Sequence, residues 1–522
     1  MKSKTTTVLV STILTIASFL LGITVYGAAS PPVSGSITKK LIIVTPTEPD
    51  TLDLNSSKMD GAAAPIAENI TERLVAITND GKFVPGLASS WKISPDGKEI
   101  DFFLKKGVKF HNGDPFTAKD VLFSHERGMN PTKGSTTLQR TMRYLESITM
   151  INDYQVRYRF KSPDAQILPG RPVPIESKTY FDRVGEEKFL KEPVGTGPYR
   201  FVRWEPGQYI EMKINENYWG EKPAVKEARF VFVKEDTTRV SMLKAGEADM
   251  ILECPFALVK EIEKAGFKTA KLSAHPSVSL QFHTYNPKVP WYDKRVRLAL
   301  AMAIDTKSMV DKLFQGIPTR PVRLNTWELG YDKDLKPYPY DPAKAKKLLA
   351  EAGYANGFDM PLYYFIGRAS GQKETAEMVA LYLNAIGVRC KVEGIEAIRL
   401  IEKVREWRKS TDTVYAGVAT VPTANYADPT QALEIGFYSK SPISFYVNPA
   451  FDVVLELARS SLDDKKRAEF IKRAFRIIQE EVPTALLWNN VSIYAMQKNL
   501  SFTPTIRAIH AMVFLKDIKP AK

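Results

Sequence analysis

The chain has 522 residues, the length of roughly three average domains, which is ample for large buried cores. It carries 73 lysines and arginines against 59 aspartates and glutamates, a formal net charge of +14. A nucleic-acid-binding protein concentrates such charge and interleaves it with stacking aromatics, whereas here the basic residues occur as scattered pairs such as Lys39-Lys40 and Lys346-Lys347. We therefore interpret the charge as a solvated basic surface and exclude nucleic acid as a partner.

The N-terminus has the layout of a secretory signal peptide. Two lysines precede an apolar run over residues 8–25, and small side chains follow at Gly27 and Ala29. Such side chains suit the specificity pockets of a signal peptidase, so we predict a signal peptide over residues 1–29 with cleavage after Ala29. No cysteine follows the run, which excludes the lipoprotein route. The alternative is an uncleaved membrane anchor, because the run approaches the length that spans a bilayer.

The first half of the mature chain is predicted to be rich in strands. A strand over residues 41–44 is followed by a short helix over residues 62–74. The sequence Ser-Pro-Asp-Gly at residues 94–97 supplies the turn of a hairpin. Two strands alternate apolar and polar side chains, and their predicted buried faces carry Ile100, Phe102, Leu104, Val156, Tyr158 and Phe160.

A helix is predicted to begin at Thr117, because Asp120 stands three residues later and completes a capping box. Two histidines lie near it, His111 in the preceding turn and His125 on the helix itself. Neither has a neighbour of a metal-ligating type in the sequence, so we interpret both as structural and expect no metal site.

Residues 193–219 are the most informative stretch of the chain. They begin with Pro-Val-Gly-Thr-Gly-Pro-Tyr and end with Asn-Glu-Asn-Tyr-Trp. The two glycines and the following proline predict a tight turn, because glycine tolerates positive φ and proline fixes φ. The turn leads into a strand, whereas a phosphate-binding loop needs a helix N-terminus, so phosphate binding is not predicted here.

The second half alternates helices with strands, which is typical of an α/β lobe. Asp341 is the predicted N-cap of a helix whose first residue is Pro342, and Gly353 ends that helix. Another helix stops at Gly387, and a later one ends before Pro483. The final strands are predicted at residues 486–496 and 506–514.

The only two cysteines are Cys254 and Cys390. An exported protein can form a disulfide, but these residues are far apart in the sequence. Cys390 lies in a stretch that alternates apolar and charged side chains, which predicts a buried position on a strand. We therefore expect two free thiols.

The stretch at residues 193–219 resembles the signature of extracytoplasmic solute-binding proteins of the peptide/nickel type. These are the receptors of ATP-driven importers for peptides, nickel chelates, opines and some oligosaccharides. Further segments resemble the same family in the right order, at residues 46–55, 83–91, 108–121, 244–249 and 286–305. The resemblance implies an α/β, two-lobed periplasmic-binding-protein fold of the large type II form, with an extra subdomain in the first lobe.

The resemblance also implies domain boundaries. Lobe I would comprise residues 36–282 and 489–522, with the extra subdomain at about 76–190. Lobe II would comprise residues 283–488. The strands that cross between the lobes would lie near residues 282–286 and 488–492.

In peptide-binding members of this family, an aspartate of lobe II pairs with the α-amine of the ligand. The matching segment here is Asn425-Tyr426-Ala427-Asp428-Pro429, which places Asn425 where that aspartate stands. A buried ammonium that faces a neutral amide lacks the opposite charge that compensates its desolvation. We expect Asn425 and Tyr426 to line the pocket and to disfavour free-amine peptides. Asp428 would either supply the missing charge or cap the turn.

In lobe I, Met59 and Asp60 resemble the loop that faces the cleft. Glu253 and Cys254 resemble a segment that touches bound peptide in the family. Glu253 would either take over the charge pairing with the ligand or form a surface salt bridge. Two aromatics at the predicted crossing strands would line the pocket or pack in the core: Tyr285 and Trp488.

The sequence lacks the H-E-x-x-H, G-x-S-x-G, C-x-x-C and Walker A motifs, so we predict a binding protein and not an enzyme. The predicted function is the extracytoplasmic substrate-binding component of an ABC importer. A peptide or similar small organic solute would be captured between two hinged lobes and delivered to the membrane permease. The alternatives are a receptor for an oligosaccharide, an opine or a metal chelate, or an exported sensor or chaperone domain with the same fold. We expect a periplasmic monomer without a cofactor.

Overall fold

The computed structural model describes residues 37, 39–59, 61–78, 82–165, 173–318, 324, 328–366, 371–396, 406–407, 415–421, 428–441, 444–505 and 512–521. All of these belong to one unit of the chain, Gly35–Lys522. The predicted signal peptide therefore lies outside the described residues.

The elements are numbered in chain order. The helices are α1 Ala64–Ala67, α2 Ala118–Gly128, α3 Thr136–Thr141, α4 Lys178–Lys191, α5 Asp236–Ala245, α6 Val259–Lys264, α7 Lys294–Met302, α8 Thr306–Phe314, α9 Pro342–Glu351, α10 Gln372–Asn384, α11 Thr430–Phe437, α12 Pro449–Ser460 and α13 Asp464–Glu481. The strands are β1 Leu41–Thr45, β2 Val75–Ile77, β3 Phe83–Pro85, β4 Ala88–Ile93, β5 Glu99–Leu104, β6 Leu145–Asn152, β7 Gln155–Phe160, β8 Tyr199–Glu205, β9 Tyr209–Ile214, β10 Glu227–Phe232, β11 Met250–Ile251, β12 Lys268–Phe282, β13 Phe358–Ile366, β14 Val388–Glu396, β15 Ala416–Val421, β16 Thr484–Met496, β17 Leu500–Ser501 and β18 Lys519–Pro520.

Within the described residues, the largest sheet has ten strands in the order β14-β13-β15-β12-β16-β11-β1-β10-β9-β8. At one end β13 runs parallel to β14 and β15, and near the other end β1 runs parallel to β10 and β11. Each parallel portion has its own helices, because α10 packs on β13 and β14 while α5 packs on β11. The predicted α/β class is confirmed, and the sheet has two separate parallel portions.

The long strands β12 and β16 run antiparallel to each other and pass through both portions of the sheet. Their pairing shifts register between Ser273 and Ser277, opposite Val491 and Asn489. Beyond this shift, β12 also pairs with β15. Before the shift, the end of β16 that pairs with β12 also pairs with β11. The crossing strands are predicted near residues 282–286 and 488–492. The shift precedes the first of these stretches in the sequence and overlaps the second.

A second sheet has the order β4-β5-β7-β6 and packs against α2. Its predicted buried faces are confirmed, since Phe102 and Tyr158 are fully buried and their rings meet edge to face. The hairpin turn is confirmed as well, with Gly97 at a φ of 67°. The capping box of α2 is present, and the Thr117 N–H donates to Asp120 Oδ2 at 2.9 Å.

Helix ends in the second half follow their sequence signals. Asp341 caps α9 by accepting the N–H of Lys344 at 2.9 Å, and Pro342 is the first residue of that helix. Gly387, with a φ of 95°, separates α10 from β14. The apolar stripe of α13 is buried, as expected of an amphipathic helix.

The predicted helix over residues 62–74 is wrong, because only α1 forms there. The carbonyl oxygen of Ile70 is taken by the Gly197 N–H at 2.8 Å instead of continuing the helix. A Cβ at Gly195 would lie 2.0 Å from that oxygen, and one at Gly197 would lie 2.6 Å from it. Neither glycine has a positive φ. The absence of a side chain, and not backbone freedom, is what this close approach requires.

Two further predictions need correction. Residues 512–514 lie outside any strand, while residues 506–511 fall outside the described part of the chain. Cys390 is on a strand as predicted but is only half-buried. The reason is that β14 is the edge strand of the ten-stranded sheet.

Buried apolar side chains form separate clusters. One surrounds β1, β9 and β10, a second fills the sheet β4-β5-β7-β6, and a third joins α11, α12 and α13. The most extensive cluster surrounds β12 and β16 and the helices α7 to α10. Separate cores of this kind are expected of a chain that folds into lobes.

Candidate functional site

The signature stretch at residues 193–219 surrounds a carboxylate of the protein itself. Thr196 and Tyr218 donate to Glu72 at 2.9 and 2.8 Å, and the Trp219 Nε1–H donates to it at 2.8 Å. Burial raises the pKa of Glu72, while these donors oppose that shift. A carboxylate that already accepts three hydrogen bonds is satisfied within the protein, so the signature is a structural feature.

In the predicted lobe II segment, Asn425 and Tyr426 lie outside the described residues. Asp428 is buried just before α11, where its Oδ1 accepts the N–H of Thr430 at 2.9 Å. Its Oδ2 lies 2.9 Å from Arg467 Nε of α13. Of the two roles considered for Asp428, capping the turn agrees with these contacts, because its charge is already balanced by Arg467.

Glu253 follows β11 in a strained backbone conformation. Its φ of 50° is in the left-handed region, which costs a non-glycine residue on the order of 1 kcal/mol. The Glu253 carbonyl oxygen accepts a hydrogen bond from Arg239 Nη2 at 3.3 Å. Arg239 is itself buried and also donates to the carbonyl oxygens of Val233 and Lys234, so it connects the turn at Glu253 to the segment before α5.

Glu253 is an exposed residue, yet the protein around its carboxyl group raises the pKa of that group. A side chain that is surrounded by protein and still reaches water lies in a concavity. The charge of Arg239 lowers this pKa and that of Asp236 raises it, but both effects are smaller than that of burial. Within the described residues, no hydrogen bond or ion pair reaches the carboxylate. Such a group can accept a cation or a donor from a solute.

Two predicted site residues are packed in the core. Cys254 is buried, its Sγ lies 3.8 Å from the carbonyl oxygen of Pro255, and burial raises the pKa of its thiol to about 12. Trp488 is fully buried on β16, where its indole N–H donates to Thr375 at 3.2 Å. Its ring packs 4.8 Å from the ring of Phe314. Of the two roles considered for Trp488, core packing agrees with these contacts.

The remaining predicted residues are nearer the surface. Met59 is 37% exposed, and Asp60 lies outside the described residues. Tyr285 is half-buried, and its hydroxyl donates to the carbonyl oxygen of Ser444 at 3.0 Å. Its ring meets that of the buried His283 at 4.8 Å.

Sequence reasoning missed a group of aromatic side chains at β13 and just before β15. The ring of Tyr415 stacks on Phe445 at 4.3 Å and meets Trp407 at 4.7 Å, and Trp407 meets Tyr363 at 5.5 Å. Tyr363 and Trp407 are half-buried. These residues come from four separate stretches, and the parallel pairing of β13 with β15 brings two of them together. No local pattern could have identified the group.

The described residues contain no group of three or more His, Cys, Asp or Glu side chains placed to hold a metal ion. His111 hydrogen bonds to the carbonyl oxygen of Gly197 at 2.9 Å, and His125 to the hydroxyl of Tyr158 at 2.6 Å. Burial lowers the pKa of His111 to about 4 and that of His125 to about 3. Both imidazoles are therefore neutral parts of the interior at physiological pH. No helix in this part of the chain has the length and apolarity needed to cross a bilayer.

Two α/β portions that share long strands have the architecture of a two-lobed periplasmic-binding-protein fold of type II. Residues 82–442 match the family described as bacterial extracellular solute-binding proteins, family 5 Middle. The chain belongs to this family, which confirms the resemblance inferred from its sequence. It is the extracytoplasmic solute-binding component of an ABC importer.

Similar proteins cover most of the chain. Heme-binding protein A of Haemophilus influenzae is 30% identical over 451 residues, 80% of this chain and 81% of that protein. Di/tripeptide-binding protein 2 of Pseudomonas aeruginosa is 28% identical over 457 residues, 80% of this chain and 83% of that protein. The periplasmic binding protein DppA of Helicobacter pylori, solved with the peptide STSA, aligns with a TM-score of 0.81 at 26% identity, over 93% of this chain and 98% of that one. All three are named as binding proteins.

Proposed function

We propose that the solute is a peptide or a peptide-like small molecule whose positive group pairs with Glu253. The observation that carries this proposal is the Glu253 carboxylate itself. Surrounding protein raises its pKa, and it has no hydrogen-bond or ion-pair partner in the described part of the chain. Two of the similar proteins are named for di- and tripeptide binding or were solved with a peptide, which supports the solute class.

The sequence of lobe II supports a role for Glu253 in charge pairing. Peptide-binding members of the family have an aspartate for the ligand amine where this chain has Asn425. An amine enclosed in a cleft needs one opposite charge to offset its desolvation. Glu253, on lobe I, supplies that charge from the other side of the cleft, while the Asn425 amide hydrogen bonds to a neutral or carboxylate-bearing part of the solute.

Capture then follows from hinge closure. The solute binds the closed arrangement of the lobes more tightly than the open one and so shifts the population toward it. Closure removes water from the cleft, which strengthens the pairing between Glu253 and the solute. The membrane permease would recognise the closed form.

A thermal-shift screen of the purified mature protein tests this proposal. A ligand that binds only the folded protein stabilises it by RT ln(1 + [L]/Kd), so binding appears as a higher Tm. We expect free-amine di- and tripeptides to raise the Tm more than the same peptides with an acetylated N-terminus. The panel also contains heme, an opine and a nickel–histidine chelate. A shift with one of these and none with any peptide would contradict the proposal.

We also propose the division into lobe I, residues 36–282 and 489–522 with the subdomain at 76–190, and lobe II, residues 283–488. Two apolar clusters lie within lobe I and one lies within lobe II, which supports this division, while the most extensive cluster follows β12 and β16 across both lobes. Limited proteolysis should release fragments that end close to these boundaries. Cleavage only within the proposed lobes would contradict it.

We further propose that the mature protein acts in the periplasm after cleavage behind Ala29. The extracytoplasmic character of the family supports this location. Mass spectrometry of the protein from a periplasmic fraction should show Ser30 as the N-terminal residue. A mass that includes residues 1–29 would instead indicate a membrane anchor.

A further inference from the structure

A buried group of charges joins the proposed subdomain to helices of the proposed lobe II. Arg459 of α12 donates to Asp164 Oδ2 at 2.6 Å and also pairs with Glu434 of α11. Arg143, which follows α3, pairs with the same Glu434. Arg459 and Asp164 are 295 positions apart in the sequence, so this contact links two distant parts of the chain.

Neutral side chains extend the same contact. The hydroxyl of Tyr144 lies 3.1 and 2.9 Å from the two carboxylate oxygens of Glu456 on α12. Gln431 Nε2 of α11 donates to Thr141 Oγ1 at the end of α3, at 2.5 Å. The guanidinium of Arg459 lies 4.6 Å from the centroid of the Tyr144 ring. Each of these interactions has one partner in the subdomain and the other in lobe II.

The charges at the centre of the contact are removed from water. The side chains of Asp164, Glu434 and Arg459 are only 2–3% exposed. Buried charges of this kind are stable only where their partners are correctly placed, and they fix one arrangement of the elements that carry them. If the subdomain and the helices separated, water would hydrate the exposed charges. Because these charges share partners, the contact would form and break as a unit.

The contact is also linked to a turn in front of α11. Helix α11 begins at Thr430, two residues after Asp428, and carries Gln431 in its first turn and Glu434 in its second. Asp428 caps this turn and pairs with Arg467 of α13. The helix that meets the subdomain is therefore held at its start by a contact within the proposed lobe II.

We propose that this group is a closure latch, in which Arg143 and Arg459 stabilise the closed state and thereby set the affinity for the solute without touching it. The inference rests on the two-lobe division proposed above. When the lobes close, Arg143 reaches Glu434 and Asp164 reaches Arg459. When they open, Arg459 stays paired with Glu434, because both residues belong to the proposed lobe II. An interaction that is made only in the closed state raises the population of that state when its attraction exceeds the cost of removing its charges from water.

Cross-linking in the solute-free protein tests the latch independently of what the solute is. Thr141→Cys and Gln431→Cys place one thiol on each side of the contact, in a Cys390→Ser background because Cys390 is half-buried. Diamide oxidises the two thiols to a disulfide only while the lobes bring them together, and it needs no linker in a contact where both positions are buried. Adding Arg143→Ala should lower the cross-linking rate by about fivefold or more. Glu434 keeps its pairing with Arg459 in this variant, which limits damage to the fold.

The matched control is Arg157→Ala. Arg157 pairs with Asp101 at 2.7 Å inside the subdomain sheet and does not belong to the latch. Its variant should cross-link at the rate of the parent protein. Equal rates for the two alanine variants would overturn the proposal, and so would a parent protein that never cross-links. If Arg143→Ala fails to fold, Tyr144→Phe removes a smaller part of the contact and should slow the reaction in the same direction. A failed peptide screen would leave this result unaffected.

Discussion

Two carboxylates in the proposed lobe I, Glu72 and Glu253, differ in how the protein satisfies them. Burial raises the pKa of both. Glu72 accepts hydrogen bonds from Thr196, Tyr218 and Trp219. Glu253 accepts none within the described residues and stands on a strained backbone. The first carboxylate is satisfied by the fold, whereas the second is the one that we propose pairs with a solute.

The difference shows where family resemblance is informative. Thr196, Tyr218 and Trp219 all belong to the signature stretch, so the most recognisable part of the sequence identifies the fold by completing the site around Glu72. Glu253 lies outside this signature stretch, in a segment whose resemblance to the family does not show how its carboxylate is placed. A signature can therefore identify the scaffold, while the proposed binding residue lies outside it.

The largest effect on stability is expected from removing the hydrogen-bonded carboxylate of Glu72. Glu72→Ala removes the acceptor of three hydrogen bonds, so the free energy of unfolding should fall by about 2 kcal/mol. Urea unfolding followed by circular dichroism measures this change. The control is Glu187→Ala at an exposed position of α4, which should leave the midpoint unchanged. Equal midpoints for the two variants would show that the signature network does not stabilise the fold.

Replacing the carboxylate of Glu253 should weaken solute binding and leave the stability of the fold nearly unchanged. Glu253→Gln should weaken binding of the tripeptide Ala-Ala-Ala by tenfold or more, about 1.4 kcal/mol. The free energy of unfolding should stay the same or rise slightly at neutral pH, because a charge that burial disfavours has been removed. Calorimetric titration and urea unfolding measure the two quantities. Glu247→Gln, an exposed neighbour in sequence, is the control and should change neither.

The affinity for a free-amine peptide should depend on pH through Glu253. Its pKa is raised in the free protein and would be lowered by an ammonium group in the complex. The carboxylate therefore contributes its full share of affinity above the raised pKa of the free protein, and this share is lost as the pH falls through the pKa of the complex. Titrations at several pH values should show weakening on the acid side. Glu253→Gln should remove that slope, and a slope retained by this variant would assign it to another group.

A smaller effect is expected from restoring the family's charge in lobe II. Asn425→Asp places a second carboxylate near the solute amine, which should improve binding of free-amine peptides by a few-fold, or about 1 kcal/mol. The gain is limited because Glu253 already provides one negative charge. Calorimetry with Ala-Ala-Ala checks it. Unchanged or weaker binding would place residue 425 away from the amine.

Local sequence signals predicted much of the fold. The capping box at Thr117, the cap at Asp341 and the alternation that buries Phe102 each depend on neighbours a few residues away. The helix predicted at 62–74 failed because the carbonyl group of Ile70 bonds to Gly197, a partner far along the chain. The exposure of Cys390 was missed for the same reason, since the position of a strand at a sheet edge is a tertiary property.

The candidate site was less accessible to sequence reasoning. The pairing of Asp428 with Arg467, the burial of Trp488 and the stacking around Tyr415 all arise from contacts between distant segments. Resemblance to the family could point to the segment containing Glu253. It could not show that the carboxylate is recessed and lacks a partner among the described residues, because these properties depend on what surrounds it.

A double-mutant cycle measures the pairing between Glu253 and the solute amine most directly. Ala-Ala-Ala and its N-acetylated form are each titrated into the unaltered protein and into Glu253→Gln. Acetylation should cost the unaltered protein about tenfold in affinity and should cost the variant almost nothing. The same loss on acetylation in both proteins would mean that the amine is bound elsewhere, and the central assignment would fail.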